Sequence, residues 1–333
     1  MQRFLRLSDR SGTYAASCGY RRCHSESSRH CKDDQQLAAL VFTGQKRTKK
    51  FRLVALLDTI LDLNDACKGL LLTTVGILNA SGLRYVVAGG WVPILLEPSH
   101  PSLTHPGTRD VDVLMIDELP AVQAAAKALL VSEFRPSAKH EFQLLRDAEV
   151  ATRVFVFNVD LMHPYEASGT PEMFSDIFDL GVNDAYDPSG SRHAKSIAFR
   201  PASIVFEENL FSEVVTSGDD LDSRPCSHNV PILTGSAFLL SKCESAAVAK
   251  RTRDAFDIHY VLTGVNGAKH AAELRSLAQR FPQVECQVET LRRFLREDPG
   301  RFNHNVSLHA RRLIDDAAAH TLDAISTKKI HNR

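Results

Sequence analysis

The chain has 333 residues, 44% of them hydrophobic and 24% charged, an ordinary globular composition with length enough for about two domains. Its formal net charge is zero, so the total charge gives no argument for a polyanionic partner, and no apolar run of about 18 residues marks a membrane span. The seven cysteines are scattered and odd in number, which excludes a small disulfide scaffold and points to a reducing compartment, the cytoplasm first.

The zero total hides an asymmetry. Residues 1–52 carry 12 of the 40 Lys and Arg but only 4 of the 40 Asp and Glu. This stretch is rich in Arg, Ser and Cys and has no hydrophobic period, so it reads as a disordered basic leader; an organelle transit peptide is the alternative. It has no apolar core of the secretory type. Cys18, Cys23, His24, His30 and Cys31 match no zinc-finger spacing, and Lys46-Arg47-Thr48-Lys49-Lys50 reads as solvated linker.

From Leu53 the pattern changes. Leu53, Leu56, Leu57, Ile60, Leu61 and Leu63, then Leu70, Leu71, Val75 and Leu78, recur at helical spacing, and Gly82 suits the residue just past a helix end. Residues 84–88 read as a buried strand, followed by Gly89-Gly90, a short helix over 91–97 and a Pro/Ser/His loop over 98–107. A strand over 110–116 and a helix over 118–130 follow, the latter with Pro120 in its first turn, where a missing N–H costs little. Strands are expected over 141–145 and 152–162, a short helix over 171–178, and a strand region broken by Pro201 over 197–206. Residues 218–231 are polar and turn-rich and read as a boundary. Beyond it the pattern is helical over 236–249, 253–262, 268–280, 284–296 and 306–325, with breaks at 264–267, Pro282 and Pro299-Gly300. The expected fold class is α+β: a mixed sheet flanked by helices over 53–217, a connecting segment over 218–233 and a helical C-terminal domain over 234–330.

The chemistry-bearing stretch is Tyr85-Val86-Val87-Ala88-Gly89-Gly90-Trp91 followed by Thr108-Arg109-Asp110-Val111-Asp112-Val113. Side chains alternate along a strand, so Asp110 and Asp112 share one face while Val111 and Val113 point into a core. Two carboxylates on one face repel unless a cation sits between them, and Mg2+ is held by one or two carboxylates plus substrate phosphates. Asp160, in Asn158-Val159-Asp160-Leu161, is the third ligand expected from a neighbouring strand. The metal set is then Asp110, Asp112 and Asp160, with one or two Mg2+ ions and Mn2+ as a substitute. Gly89 and Gly90 lack a Cβ and would let backbone amides approach a phosphate. A Gly-Gly pair alone marks only a tight turn, and an Asp-x-Asp alone a solvated strand end. Their order and joint context carry the reading: in-line attack of a hydroxyl on an α-phosphate, with Asp160 available to accept the proton.

This order, Gly89-Gly90, Thr108-x-Asp110-x-Asp112 and a later strand Asp160, resembles the nucleotidyltransferase fold of the DNA polymerase β type. A second block, Leu239-Leu240-Ser241-Lys242 followed by Arg251-Thr252-Arg253-Asp254-Ala255-Phe256-Asp257-Ile258, resembles the Lys…Arg-Asp-x-x-Asp signature of the AbiEii family, toxins of abortive-infection toxin–antitoxin systems and their relatives. The likeness covers about residues 70–262. It implies a nucleoside triphosphate donor, Mg2+, transfer to an RNA or tRNA acceptor and an antitoxin-like partner. By the same resemblance Asp110, Asp112, Asp160, Lys242 and Asp254 are catalytic, and Gly89, Gly90, Thr108, Lys242 and Arg251 bind the nucleotide, with Lys242 on its phosphates. On the residues themselves, Lys242 is expected to open a helix as a point charge for phosphate. Asp254 and Asp257 lie three apart on one helix face, where they orient Lys242 or an Arg, or else form a buried ion-pair network with it.

The chain departs from the family in three ways. The loop over 98–107 is longer. The Arg that commonly precedes Thr-x-Asp is missing, with His105 or Arg109 in its place. Trp91 after the glycines is similar to aminoglycoside and lincosamide nucleotidyltransferases, which keeps a small-molecule acceptor open, as does a nucleotide-binding relative without turnover. His100 and His105 otherwise read as solvated loop residues and His259 and Tyr260 as packing. Arg292, Arg293, Arg296, Arg311 and Arg312 read as solvated helix surface.

Overall fold

A computed structural model describes residues 62–116, 119–137, 140, 142–164, 178–179, 193–194 and 196–326. The basic leader, residues 53–61 of the expected first helix, and all but the last residue of the helix expected over 171–178 lie outside the described residues.

Helix α1 (Leu63–Ala80) starts at Asp62, whose side chain accepts the Asn64 N–H at 2.5 Å. It ends as the glycine signal predicts: Gly82 has φ +65°, its N–H reaches the Asn79 carbonyl at 3.1 Å, and the Leu83 N–H reaches Leu78 at 3.2 Å. That paired closure satisfies carbonyls the helix cannot satisfy itself. Next come β1 (Tyr85–Ala88), α2 (Trp91–Leu96), β2 (Asp110–Met115), α3 (Leu119–Val131), β3 (Arg135–Pro136), β4 (Gln143–Val150) and β5 (Arg153–Pro164). They are followed by β6 (Phe178–Asp179), β7 (His193–Ala194), β8 (Ile197–Phe199), α4 (Ala202–Glu207), β9 (Phe211–Asp219) and β10 (Pro225–Leu233). Then come α5 (Gly235–Lys242), α6 (Thr252–Thr263), α7 (Gly267–Arg280), α8 (Pro282–Glu297), α9 (Pro299–Ala310) and α10 (Ala317–Ile325).

The main sheet runs β3-β4-β5-β2-β1-β10-β9, with β8 against the end of β5, while β6 and β7 pair apart. It is mixed: β2 lies parallel to β5 and antiparallel to β1, and β1 is parallel to β10. The expected fold class is the observed one, a mixed sheet flanked by helices and followed by C-terminal helices. Period-two alternation splits the sheet's side chains between two cores. Val87, Val111, Val113, Val159 and Leu161 pack under α1 and α3. Val86, Ala88, Leu114 and Met162 face a second core shared with α5 and the helices after it. Asp110, Asp112 and Asp160 have the parity of Leu114 and Met162, so they point to the face covered by the C-terminal helices.

Several expectations are corrected. The segment over 218–233, read as a connection, is part of an antiparallel hairpin that adds two strands to the sheet. Its polar alternation reflects an edge with one face against α1 and the other largely open. The strand region over 197–206 is a short strand and then a helix, since Pro201 (φ −71°) sits at the helix start, where its fixed φ fits and no N–H is needed. The strand over 141–145 extends to Val150 and turns into β5 through Ala151 and Thr152, both at positive φ (46° and 71°). No Asn-Gly signal announced that turn. The helix over 236–249 stops at Lys242 and is followed by a single tight turn over Ser245–Ala247, so Lys242 closes a helix and does not open one. The helix over 306–325 is two helices separated by Arg311 in the left-handed region (φ 53°). Pro299-Gly300, read as a break, opens α9 behind Asp298, whose side chain accepts the Arg301 N–H at 3.2 Å.

Candidate active site

Sheet register brings the three carboxylates together. On β2, Asp112 sits opposite Ala88 of β1 on one side and Asp160 of β5 on the other. Asp110 is beside Asn158, and Asp160 is beside Gln143 of β4. Thr108 donates its hydroxyl to Asp110 Oδ1 at 2.5 Å. Asn158 Nδ2 donates to Asp160 Oδ1 at 2.7 Å, and Gln143 Nε2 to Oδ2 at 3.5 Å. Asp110 and Asp112 are half-buried and Asp160 is 8% exposed.

The electrostatics follow from that crowding. Burial, then the Asp110 and Asp160 charges, push the Asp112 carboxyl well above the usual carboxylate range, against the opposing pull of Lys242 and Arg251. Burial raises Asp160 to about 6; the Asn158 hydrogen bond opposes this and the Asp110 charge adds to it. An all-oxygen, mutually repelling donor set suits a hard divalent cation. Among the described residues no three His, Cys, Asp or Glu side chains stand close enough to enclose an ion as they are. Asp112 and Asp160 stand in register on adjacent strands, with Asp110 on the same face.

The glycines are explained by contact. Gly89 has φ +62°, and a Cβ built on it would fall 1.7 Å from Asp112 Oδ2. A Cβ on Gly90 would lie 2.6 Å from Thr108 Oγ1 and 3.1 Å from Arg253 Nη2. The turn therefore lies directly against the carboxylates. Helix α2 is only six residues long, so the approach offered here is that of the turn backbone, and a helix dipole adds little. Gly89→Ala is expected to lower stability by at least about 1 kcal/mol through its backbone conformation alone and to displace the Asp112 carboxylate. Thermal melts with and without Mg2+ check this: the variant should lose the Mg2+-induced rise in Tm.

Over the same face, α5 and α6 bring a network of charges. Lys242 Nζ donates to Asp254 Oδ1 at 2.7 Å and lies 3.6 Å from Asp257 Oδ2. Arg251 Nε donates to Asp254 Oδ2 at 3.1 Å, and Arg253 Nε lies 3.4 Å from Asp257 Oδ1. Burial works to raise Asp254, but Lys242 and Arg251 outweigh it and hold the carboxyl below its ordinary range. Burial likewise opposes the shift of Asp257, which His105, Lys242 and Arg253 bring down to about 2. Lys242 is 8% exposed; burial acts to discharge it, and Asp254 and Asp257 more than restore its charge. Lys242, held by Asp254, stands close enough for its charge to act on Asp112. Arg251 is the half-exposed cation of the set, its charge acting on both Asp112 and Asp160.

The long loop over 98–107, expected to be solvated, is tied to α6. His105 Nδ1 accepts the Gly107 N–H at 3.2 Å, which leaves the proton on Nε2, 3.3 Å from Asp257 Oδ1. The His100 ring stacks on Tyr260 with centroids 4.3 Å apart, and its Nε2 is 3.1 Å from the Tyr260 carbonyl. Tyr260 donates its hydroxyl to the Glu97 carbonyl at 3.0 Å, and the Glu97 carboxylate accepts the Val265 and Asn266 N–H groups at 3.0 and 3.1 Å. The loop carrying Thr108 is thereby fixed to the helix carrying Asp254 and Asp257. Sequence reasoning gave no role to Glu97, Gln143, Asn158 or Arg253, and weighed His105 as a stand-in for the missing Arg or a solvated loop residue, not as a partner of Asp257. Only Asn158, two residues before Asp160 and so on its face, carried a signal.

Two hollows, of about 630 Å3 between α1, α3 and the β9–β10 turn and about 540 Å3 between α6 and the α9–α10 link, include none of these carboxylates. No family model matches the chain, and no curated protein or solved structure matches it significantly. The function has to be read from the site's own chemistry. No helix among the described residues is long and apolar enough to cross a membrane.

Proposed function

We propose that the protein is a divalent-metal-dependent nucleotidyltransferase that moves a nucleoside monophosphate from a nucleoside triphosphate to an acceptor hydroxyl. One observation carries the reading: Asp112 lies beside Asp160 on adjacent strands, on the sheet face shared with Asp110, and the glycine turn packs against Asp112. Asp110, Asp112 and Asp160 would hold Mg2+, or Mn2+ in its place, which would supply positive charge for the polyphosphate. Gly89 and Gly90 let Asp112 and Thr108 pack against the turn, and the donor phosphates would lie along that turn's backbone. Thr108 orients Asp110, and Asn158 with Gln143 orients Asp160. The acceptor oxygen forms a bond to the α-phosphorus, the bond to the β-phosphate oxygen breaks and pyrophosphate leaves. Asp160, raised toward neutrality, accepts the hydroxyl proton.

RNA is the acceptor class this reading favours. Arg109, next in sequence to Asp110, is exposed, and the half-exposed Arg251 acts on Asp112 and Asp160; exposed cations beside the carboxylates suit a polyanionic strand. The full chain should be incubated with each α-32P nucleoside triphosphate, Mg2+ and total RNA, beside an Asp110→Ala/Asp112→Ala control. Label on RNA that vanishes in the control is the expected result. Label confined to small molecules would reassign the acceptor, and labelling unchanged in the control would end the proposal.

A further inference from the structure

We infer that Arg253 is the side chain that grips the terminal phosphates of the donor, and that Lys242 is a buried strut and not a phosphate ligand. This rests on the nucleotidyl-transfer reading of the same site and assigns roles within it.

Three cations approach the glycine turn and the carboxylates, and they differ in what they have free to give. The Lys242 ammonium is already committed to Asp254 and Asp257, with 10% of its side chain exposed. Arg251 is held through Nε by Asp254, and 55% of its side chain is open to solvent. Arg253 is different. Its Nε faces Asp257, its side chain is 32% exposed, and its Nη2 is buried without a hydrogen-bond partner.

That unpaired nitrogen lies beside the glycine turn. The place a Gly90 Cβ would occupy is 3.1 Å from Arg253 Nη2 and 2.6 Å from Thr108 Oγ1, and the Thr108 hydroxyl is already given to Asp110. A buried guanidinium N–H without an acceptor is unfavourable. The missing Cβ of Gly90 is what gives that nitrogen, and the Thr108 hydroxyl, their place against the turn. Asp257 anchors the guanidinium at one edge and leaves the other aimed at the turn. A planar fork held in this way matches two phosphate oxygens, which an ammonium cannot do. Lys242, by contrast, would have to abandon two buried carboxylates to reach a phosphate, leaving Asp254 and Asp257 facing each other.

The test is calorimetric binding of three probes to the full chain in Mg2+: α,β-methylene ATP, inorganic tripolyphosphate and AMP. The wild type is expected to bind the first two more tightly than AMP. Arg253→Gln should weaken α,β-methylene ATP and tripolyphosphate roughly 10- to 100-fold, the effect of losing a charge-assisted hydrogen bond, and leave AMP unchanged. Arg253→Lys, which keeps the charge and loses the fork, should fall between. Equal binding by wild type and Arg253→Gln overturns the assignment and leaves the proposed activity standing. An equal loss for AMP also overturns it, since the role is then structural. A wild type that binds neither polyphosphate probe ends both readings together.

Discussion

Replacing Asp112 with asparagine is expected to lower nucleotidyl transfer by about three orders of magnitude, the roughly 4 kcal/mol of losing a preorganised electrostatic contact at the reacting phosphate. The same change should leave the metal-free protein as stable as the wild type or more so. Burial, and then the Asp110 and Asp160 charges, make Asp112 hold its proton more tightly folded than unfolded. A carboxyl raised on folding penalises the folded state progressively as pH rises from its ordinary value through its folded value, and the full penalty remains above that. For Asp160 the interval runs from 3.8 to about 6; for Asp112 it extends upward from the same 3.8. Melts in EDTA at pH 4 and pH 7 should therefore show little difference between wild type and Asp112→Asn at the lower pH and a variant advantage at the higher. Adding Mg2+ at pH 7 should raise the wild-type Tm and not the variant's, because only the wild type gains by binding. A variant that melts well below wild type in EDTA at pH 7 would make Asp112 a structural residue.

Lys242→Met is expected to destabilise the protein by about 3–5 kcal/mol at neutral pH, the effect of breaking a buried ion pair from one side. It leaves Asp254 and Asp257 buried together, with Arg251, Arg253 and His105 as the remaining partners. The pH dependence separates this from a loss of packing. In the wild type both carboxyls titrate below their ordinary 3.8, Asp257 at about 2. The stability they contribute is present above 3.8 and disappears as pH falls through their folded values. Without Lys242 that contribution is lost, so urea unfolding should show a large deficit at pH 7 that persists to about pH 4 and narrows only as pH falls below 3.8 toward 2. A Lys242→Met protein as stable as wild type at pH 7 would overturn the strut role and return the residue to the phosphates.

The glycine turn and the Asp-x-Asp strand could be read before any coordinates because both depend on local geometry. A strand has a period of two, so Asp110 and Asp112 had to share a face once 110–116 was a strand. The C-terminal end of α1 was equally local, since a left-handed residue favours glycine and Gly82 was in place. The β4–β5 turn was not legible, because Ala151 and Thr152 adopt positive φ against their own preference and only the paired strands on either side hold them there. The β9–β10 hairpin was read as a boundary for a related reason: an edge strand with one open face has the polar composition of a linker.

What the sequence determined by itself was the identity of the carboxylates and their facing, because alternation along a strand needs no other part of the chain. Only the tertiary structure decided which strand lies beside β2, and so that Asp160 stands next to Asp112 across a parallel register. It also decided that the same face is roofed by α5 and α6, which buries Lys242 between two aspartates and turns the Arg253 guanidinium toward the glycine turn. The physical reason is range. A side chain's direction is set within two residues by backbone sterics, whereas its burial and charge partners are set by other segments of the chain, brought close by the packing of apolar faces that carry no label of their partner.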